Sequence, residues 1–380
     1  MLKRKRYKQE VFDRLDLFPV VAILGPRQCG KTTLAHMVGD RQGAAFLDLE
    51  DPATSARFES PMIELEDRRG LVVIDEVQRK PAVFESLRVL SDRSERPARF
   101  LLLGSASPQL IRGASESLAG RIAYVDLSGF NLSEIGDGLL ERLWVRGGFP
   151  RSFLADTEAK SYLWRSEFIR TFLERDLPQL GIFIPAETLR RFWTMIAHYH
   201  GQVLNAAEIA RSLGASQPTA RRYLDILSGA YVLRQLQPWH ENIRKRQVKS
   251  PKVYVRDSGL LHVLLTLEDR EALRGSPRLG ASWEGFVIEQ LLAEFGPRDA
   301  YFWATHSGAE LDLMLIRNGR RYGFEVKYGD VPRVIRSMRS ACSDLGLQHV
   351  YVVYPGRERH RLDTNIEALP AAEVPGLSLC

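Results

Sequence analysis

The sequence predicts a multidomain α/β protein: a parallel-sheet core, a helical segment, a small helix-and-strand domain and a terminal α/β domain. Three observations predict it. "AILGPRQCGKTTL" sets a glycine-rich loop between an apolar run and a helical stretch, "LVVIDEVQ" ends a second apolar run in two acids, and "AELDLMLIRNGRRYGFEVKYG" reads as a hairpin. At 380 residues the chain is long enough for two or three domains with full cores. An apolar content of 44% and a charged content of 26% are those of a soluble globular protein. No apolar run approaches a membrane span, and "MLKRKRYKQE" lacks the apolar region of a signal peptide, so a cytoplasmic protein with no membrane partner is expected. Cys29, Cys342 and Cys380 have no metal-ligand spacing, which argues against disulfides and zinc.

Val20 to Leu24 reads as a buried strand and Thr32 to Val38 as a helix, with the pattern Gly-x-x-x-x-Gly-Lys-Thr between them. Such a loop curls its N–H groups around a phosphate, and the helix N-terminus adds partial positive charge. Gly25, Pro26, Arg27, Gln28, Cys29, Gly30, Lys31, Thr32 and Thr33 are therefore expected to hold a nucleoside triphosphate. Lys31 would reach the β- and γ-phosphates. Leu71 to Ile74 reads as a strand that delivers Asp75 and Glu76 beside this loop. Thr32 and Asp75 are the expected Mg²⁺ holders, and Glu76 is placed to polarise the attacking water.

A third strand, "ARFLLLGSAS", ends in Ser105 and Ser107, and "ESLAGRIAYVDL" leads through Arg121 into a fourth. The alternation of strand and helix is that of an open parallel sheet with nucleotide at its carboxyl edge. Over nearly its whole length the chain resembles the AAA+ ATPases, in particular the bacterial and archaeal group that joins such an ATPase to a domain of uncharacterised function. The resemblance implies an ATP-hydrolysing P-loop core over 1–128 and a helical lid over 129–185. It implies that Ser105 senses the γ-phosphate and that Arg121, with Arg112 as competitor, is an arginine finger completing a neighbouring subunit's site. A ring, most often of six, follows. "WVRGGFPRSFLA" resembles the Gly-x-Pro-Arg turn of the lid, also carried by the branch-migration motor of Holliday junctions. On that resemblance Arg151 touches the γ-phosphate.

From Leu204, "LNAAEIARSLGASQPTARRYLDILSGAYVL" gives two short helices broken at Gly214, the second capped by Ser216 with Pro218 in its first turn. Leu224 and Leu227 face inward, leaving Gln217, Thr219, Arg221 and Arg222 outward. This is the layout of a helix-turn-helix whose second helix meets nucleic acid. A strand-like stretch and the acid-free run "IRKRQVKSPKVYVR" follow where a wing belongs. Arg244, Lys245, Arg246 and Lys249, with Lys252 and Arg256, are expected to contact DNA phosphates, in a winged-helix domain over 186–262. A second basic run, Lys3, Arg4, Lys5, Arg6 and Lys8, opens the chain.

In the last segment, 263–380, Asn318-Gly319 is a two-residue hairpin signal. Counting back from Arg317 opposite Arg320 puts Asp312 opposite Glu325. Leu311, Leu313, Leu315, Tyr322, Phe324 and Val326 then share one face, and Glu310, Asp312, Glu325 and Lys327 the other. Paired carboxylates repel unless a cation lies between them, and Mg²⁺ or Mn²⁺ would serve. Lys327 could orient a metal-bound water. The pattern resembles the PD-(D/E)xK nuclease fold, which implies that Glu284, on that fold's first helix, joins Asp312 and Glu325 as a metal ligand. The expected function is an oligomeric ATP-driven motor or remodeller of duplex or branched DNA. A protein-binding switch and an ATP-gated endonuclease are the alternatives.

Overall fold

Six consecutive buried residues, Val20–Gly25, form β1, an interior strand of a sheet covered on both faces. In this computed structural model the described residues are 2–40, 42–93, 98–105, 117–241, 247–329 and 331–379, without the side chains of Ser105 and Asp137. The chain divides into two units, 1–129 with 229–231, and 130–228 with 232–380.

The first unit adds β2 (Ala45–Asp48), β3 (Gly70–Asp75), β4 (Ala98–Ser105) and β5 (Ile122–Asp126), all parallel, in the order β2-β3-β4-β1-β5. Parallel strands need crossovers, and helices Lys31–Gly39 and Val83–Ser91 supply two of them. The order has a chemical consequence. Because β4 separates β1 from β3, the phosphate loop, Ser105 and Asp75 all emerge at one carboxyl edge, with Gly25 in register with Ser105. Val20, Ala22, Leu24, Val72, Ile74, Phe100 and Leu102 pack with Phe84 and Leu87 beneath that edge.

The second unit begins with the short helix Leu132–Ile135 and continues with helices Leu140–Arg146, Pro150–Phe153 and Glu158–Thr171. The Gly147 turn between Leu140–Arg146 and Pro150–Phe153 has φ 74°, and Asp257 pins it by accepting the N–H of Gly148 at 2.7 Å. Next come helix Ala186–His198, β6 (Gln202–Val203), helices Ala206–Leu213 and Gln217–Gly229, β7 (Leu233–Leu236) and β8 (Lys252–Val255). The three strands form an antiparallel sheet in the order β6-β8-β7, the topology of a winged helix. Its local signals are those of the sequence: Asn205 accepts the N–H of Glu208, Gly214 sits at φ 71°, and Ser216 accepts the N–H of Thr219 at 3.3 Å.

A six-stranded mixed sheet follows. Its strands are β9 (Ala300–Ala304), β10 (Glu310–Arg317), β11 (Arg320–Val326), β12 (His349–Tyr354), β13 (His360–Asp363) and β14 (Ile366–Pro370), in the order β13-β14-β12-β11-β10-β9. Helices Leu279–Phe295 and Arg336–Leu345 accompany it. Asn318 (φ 51°) and Gly319 (φ 75°) are both left-handed, as a type I′ turn requires, and Arg317 pairs with Arg320. The ladder runs back to Leu313 opposite Phe324. Beyond it the expected alternation fails. One extra residue in β10 forms a bulge between Leu311 and Met314, so Leu311 joins Met314, Trp303 and Met338 in one apolar cluster.

Helix Ser258–Leu264 approaches the Arg146–Gly147 turn so closely that a Cβ on Gly259 would overlap the carbonyl of Arg146 and the N–H of Gly147. Gly259→Ala should lower the stability of this unit by about 1–3 kcal/mol in urea unfolding, because main chain cannot yield. Gly280→Ala meets no neighbouring atom within 4 Å and should stabilise slightly.

Candidate active site

The loop after β1 turns on glycine where nothing larger fits. A Cβ on Gly25 would overlap the carbonyl oxygen of Leu127, and Gly30, at φ 99°, starts helix Lys31–Gly39. Lys31 is buried, its Nζ donating to the carbonyls of Gly25 (3.1 Å) and Pro26 (2.9 Å) within the loop's cradle. Cys29 is buried beneath, its thiol 3.5 Å from the Leu127 carbonyl oxygen, while Gln28, Thr32 and Thr33 are exposed. Thr32 Oγ1 donates to Asp75 Oδ2 at 2.7 Å across the gap between β1 and β3. Two hard oxygens, from Thr32 and Asp75, beside a lysine form a donor set that fits Mg²⁺, which would supply positive charge against a nucleotide's phosphates.

Glu76 follows Asp75 in a left-handed conformation (φ 53°) and is held by Gln78, with Arg27 3.9 Å away. Burial pushes its carboxyl above the ordinary value, against Lys31 and Arg27, which pull it down. Burial likewise raises Asp75, partly offset by the hydrogen bond from Thr32. A carboxylate made more basic in this way is a better acceptor for a proton from water. Arg4, which no motif singles out, is buried, and its guanidinium donates to the carbonyls of Cys29 (2.9 Å), Ser128 (3.0 Å) and Gly129 (3.0 Å). It fixes the underside of the phosphate loop, so one member of the opening basic run is internal.

Ser105 ends β4 between the loop and Asp75, with its side chain outside the described residues, as is all of Arg112. Arg121 precedes β5 at the opposite, amino edge of the sheet, and its guanidinium engages Asp92 through two bonds of 2.6 and 2.8 Å. A six-residue strand, about 16 Å long, separates that edge from the loop, so Arg121 does not serve its own subunit's phosphates. Arg151 lies in the second unit, exposed on helix Pro150–Phe153.

Gln217, Arg221 and Arg222 are exposed at the amino end of helix Gln217–Gly229, and Thr219 is half-buried against Ser216. Lys249 is exposed, and Arg244, Lys245 and Arg246 lie outside the described residues. Two expected phosphate contacts are corrected. Arg256 joins Arg234 on the carboxylate of Glu289, and Lys252 is 3% exposed. Both belong to β8 and its continuation, where alternation turns Lys252, Tyr254 and Arg256 toward helix Leu279–Phe295. The period-two spacing of these three donors was the available signal.

Lys252 also sits within the expected metal centre. Its Nζ lies 3.2 Å from Glu284 and 3.6 Å from Asp312, and pairs with Glu310 as well, while the Tyr254 hydroxyl donates to Glu284 at 2.7 Å. Asp312 accepts the N–H of Val326 at 2.8 Å, and Lys327 pairs with Glu325 at 2.7 Å. The cation that reconciles these acids is an ammonium. Among the described residues no group of three His, Cys, Asp or Glu is arranged to hold a metal, and with Lys252 seated the residues Glu284, Asp312 and Glu325 do not fit a divalent ion.

Burial, then the charge of Asp312, raises Glu284 to about 7 and Glu325 to about 8. A carboxyl raised on folding costs nothing below its unfolded value near 4.5 and its full penalty above the folded value, so stability should fall between pH 4.5 and 8. Chemical unfolding at pH 5, 7 and 9 should show a shallower decline for Glu325→Gln than for the native chain.

Three family models match the chain: an AAA domain over residues 17–136, a Domain of unknown function (DUF8612) over 137–271 and a Domain of unknown function (DUF4143) over 279–374. The uncharacterized proteins Rv2008c of Mycobacterium tuberculosis and Mb2031c of Mycobacterium bovis are each 54% identical over 356 residues, covering 94% of this chain and 81% of theirs. Among solved structures, the Walker-type ATPase PABY2304 of Pyrococcus abyssi is similar at a TM-score of 0.46 and 15% identity, over 70% of this chain and 96% of that one. The chain is thus an ATP hydrolase and belongs to the family of these mycobacterial proteins, an AAA-domain ATPase followed by two domains of unknown function.

Proposed function

We propose that the chain couples ATP hydrolysis to the binding and remodelling of duplex or branched DNA, as a ring in which Arg121 completes a neighbour's site. One observation carries the DNA part: a winged-helix topology whose second helix leaves Gln217, Arg221 and Arg222 exposed at its amino end. Few of these side chains suit base reading, so backbone or shape recognition is favoured. In the ATPase unit, Lys31 would orient the β- and γ-phosphates, Thr32 and Asp75 would hold Mg²⁺, and Glu76 would accept the proton of the attacking water. Arg4 acts as a positioning residue by fixing the loop from below.

The deciding experiment is steady-state ATP hydrolysis at one salt concentration with no nucleic acid, linear duplex, single strand and a four-way junction. The reading requires strong stimulation by DNA, greatest with the junction; equal rates throughout would transfer it to a protein-regulated switch. Lys31→Ala should abolish nucleotide binding, whereas Glu76→Gln should bind normally and lose about 10²–10⁴-fold in turnover. Mixing Arg121→Ala with Lys31→Ala subunits should restore part of the rate if the arginine acts in trans. In a titration against salt, Arg221→Glu with Arg222→Glu should weaken DNA binding and flatten its log–log slope by about 1 per lost phosphate contact. An unchanged slope would return these arginines to an ordinary solvated face.

A further inference from the structure

The acids of the terminal sheet converge from three elements, Glu284 from helix Leu279–Phe295, Glu310 and Asp312 from β10, and Glu325 from β11. Against these four carboxylates stand the ammonium groups of Lys252 and Lys327. The two lysines differ. Lys327 follows β11, half-buried beside Glu325, whereas Lys252 is fixed from both sides by its strand pairing, Val203 on β6 and Leu236 on β7. Its side chain is the member of β8 that reaches the three other acids, and it bridges two of the elements that supply them. A second observation shows that the cluster keeps one acceptor in reserve: Glu325 is 4% exposed, its Oε1 is paired with Lys327, and its Oε2 has no hydrogen-bond partner, so that oxygen is available to an ion that takes the place of the ammonium.

We propose that Lys252 is the resident cation of this cluster and keeps divalent metal out, so that the ion and the lysine side chain are alternative occupants of one place. The ligands on offer are all oxygens, which select a hard cation of the Mg²⁺, Mn²⁺ or Ca²⁺ class over zinc or copper. Main-chain pairing holds the backbone of Lys252, so only rotation or removal of the side chain vacates the position. The chain as it folds is therefore closed to metal-dependent phosphodiester cleavage. One side chain, rather than loss of the acids, sets that state.

The test uses the full chain without nucleotide and Mn²⁺ alone as the probe, followed by electron paramagnetic resonance and by thermal unfolding in EDTA or Mn²⁺. Any ion held at Thr32 and Asp75 is common to every variant and cancels in the comparison. Lys252→Met should gain one Mn²⁺ bound at least tenfold more tightly than any site of the native chain, and adding Glu325→Gln should remove it. Lys252→Met should also melt below the native chain in EDTA and recover in Mn²⁺, the native melting point staying where it was. The proposal fails if Lys252→Met binds no additional ion, or if the gained ion survives Glu325→Gln. It fails equally if the native chain already holds an ion that Glu325→Gln removes. A Lys252→Met or Lys252→Gln chain that stays unfolded in Mn²⁺ would show that the ion cannot replace the ammonium.

Discussion

Helix Leu279–Phe295 presents two carboxylates, Glu284 and Glu289, to the strands of the small sheet, and the second unit is organised by that pairing. Arg234 and Arg256 converge on Glu289, and Lys252 with Tyr254 converges on Glu284. Buried charges repay their desolvation only when the set is complete, as it is at Glu289. Burial would raise Glu289, but the two arginines outweigh it and hold its carboxyl below the ordinary range. The arrangement specifies more than it stabilises. A one-residue slip of β8 would turn Lys252, Tyr254 and Arg256 away from the helix and bury Val253 and Val255 against acids. Fixing β8 fixes β7 and β6 by ladder bonds, and through them the helix-turn-helix they close.

In the first unit the corresponding constraint is the strand order. With β4 between β1 and β3, Thr32 and Asp75 meet only if the loop after β1 leans over the end of β4. Arg4 supplies the opposing support from below, its guanidinium shared among three carbonyls that no strand satisfies. A five-donor fork suits that task, whereas a lysine offers one point charge.

The legible parts of this molecule are those set by local chemistry. The phosphate loop, the acids ending β3 and the Asn318-Gly319 turn each follow from a few adjacent residues, and the helix-turn-helix from its caps. Three features resisted reading. The β10 bulge depends on how β9 and β10 pack, which alternation within one strand does not encode. Arg4, Lys252 and Arg256 lie in basic runs whose sequence resembles a solvated face, and only long-range pairing shows that each is internal. The acidic cluster was legible as a cluster, but its cation comes from a strand sixty residues before Asp312, far beyond the reach of any local pattern.

This internal use of charge bears on the proposed DNA reading. The net charge of +6 suggests a cationic surface, yet Arg4, Arg146, Arg165, Arg234, Lys252 and Arg256 are spent on carbonyls or carboxylates within the protein. Exposed on the described part of the winged helix are Arg190, Arg191, Arg211, Arg221, Arg222 and Lys249, and the affinity one copy would have for DNA at physiological salt depends on how many of these reach phosphates at once. Several copies joined in one assembly would multiply such contacts through effective concentration, without any new contact within the subunit. On this reading, self-association would add to the contacts of the exposed arginines, and the same assembly would bring Arg121 to a phosphate loop that it cannot reach on its own chain.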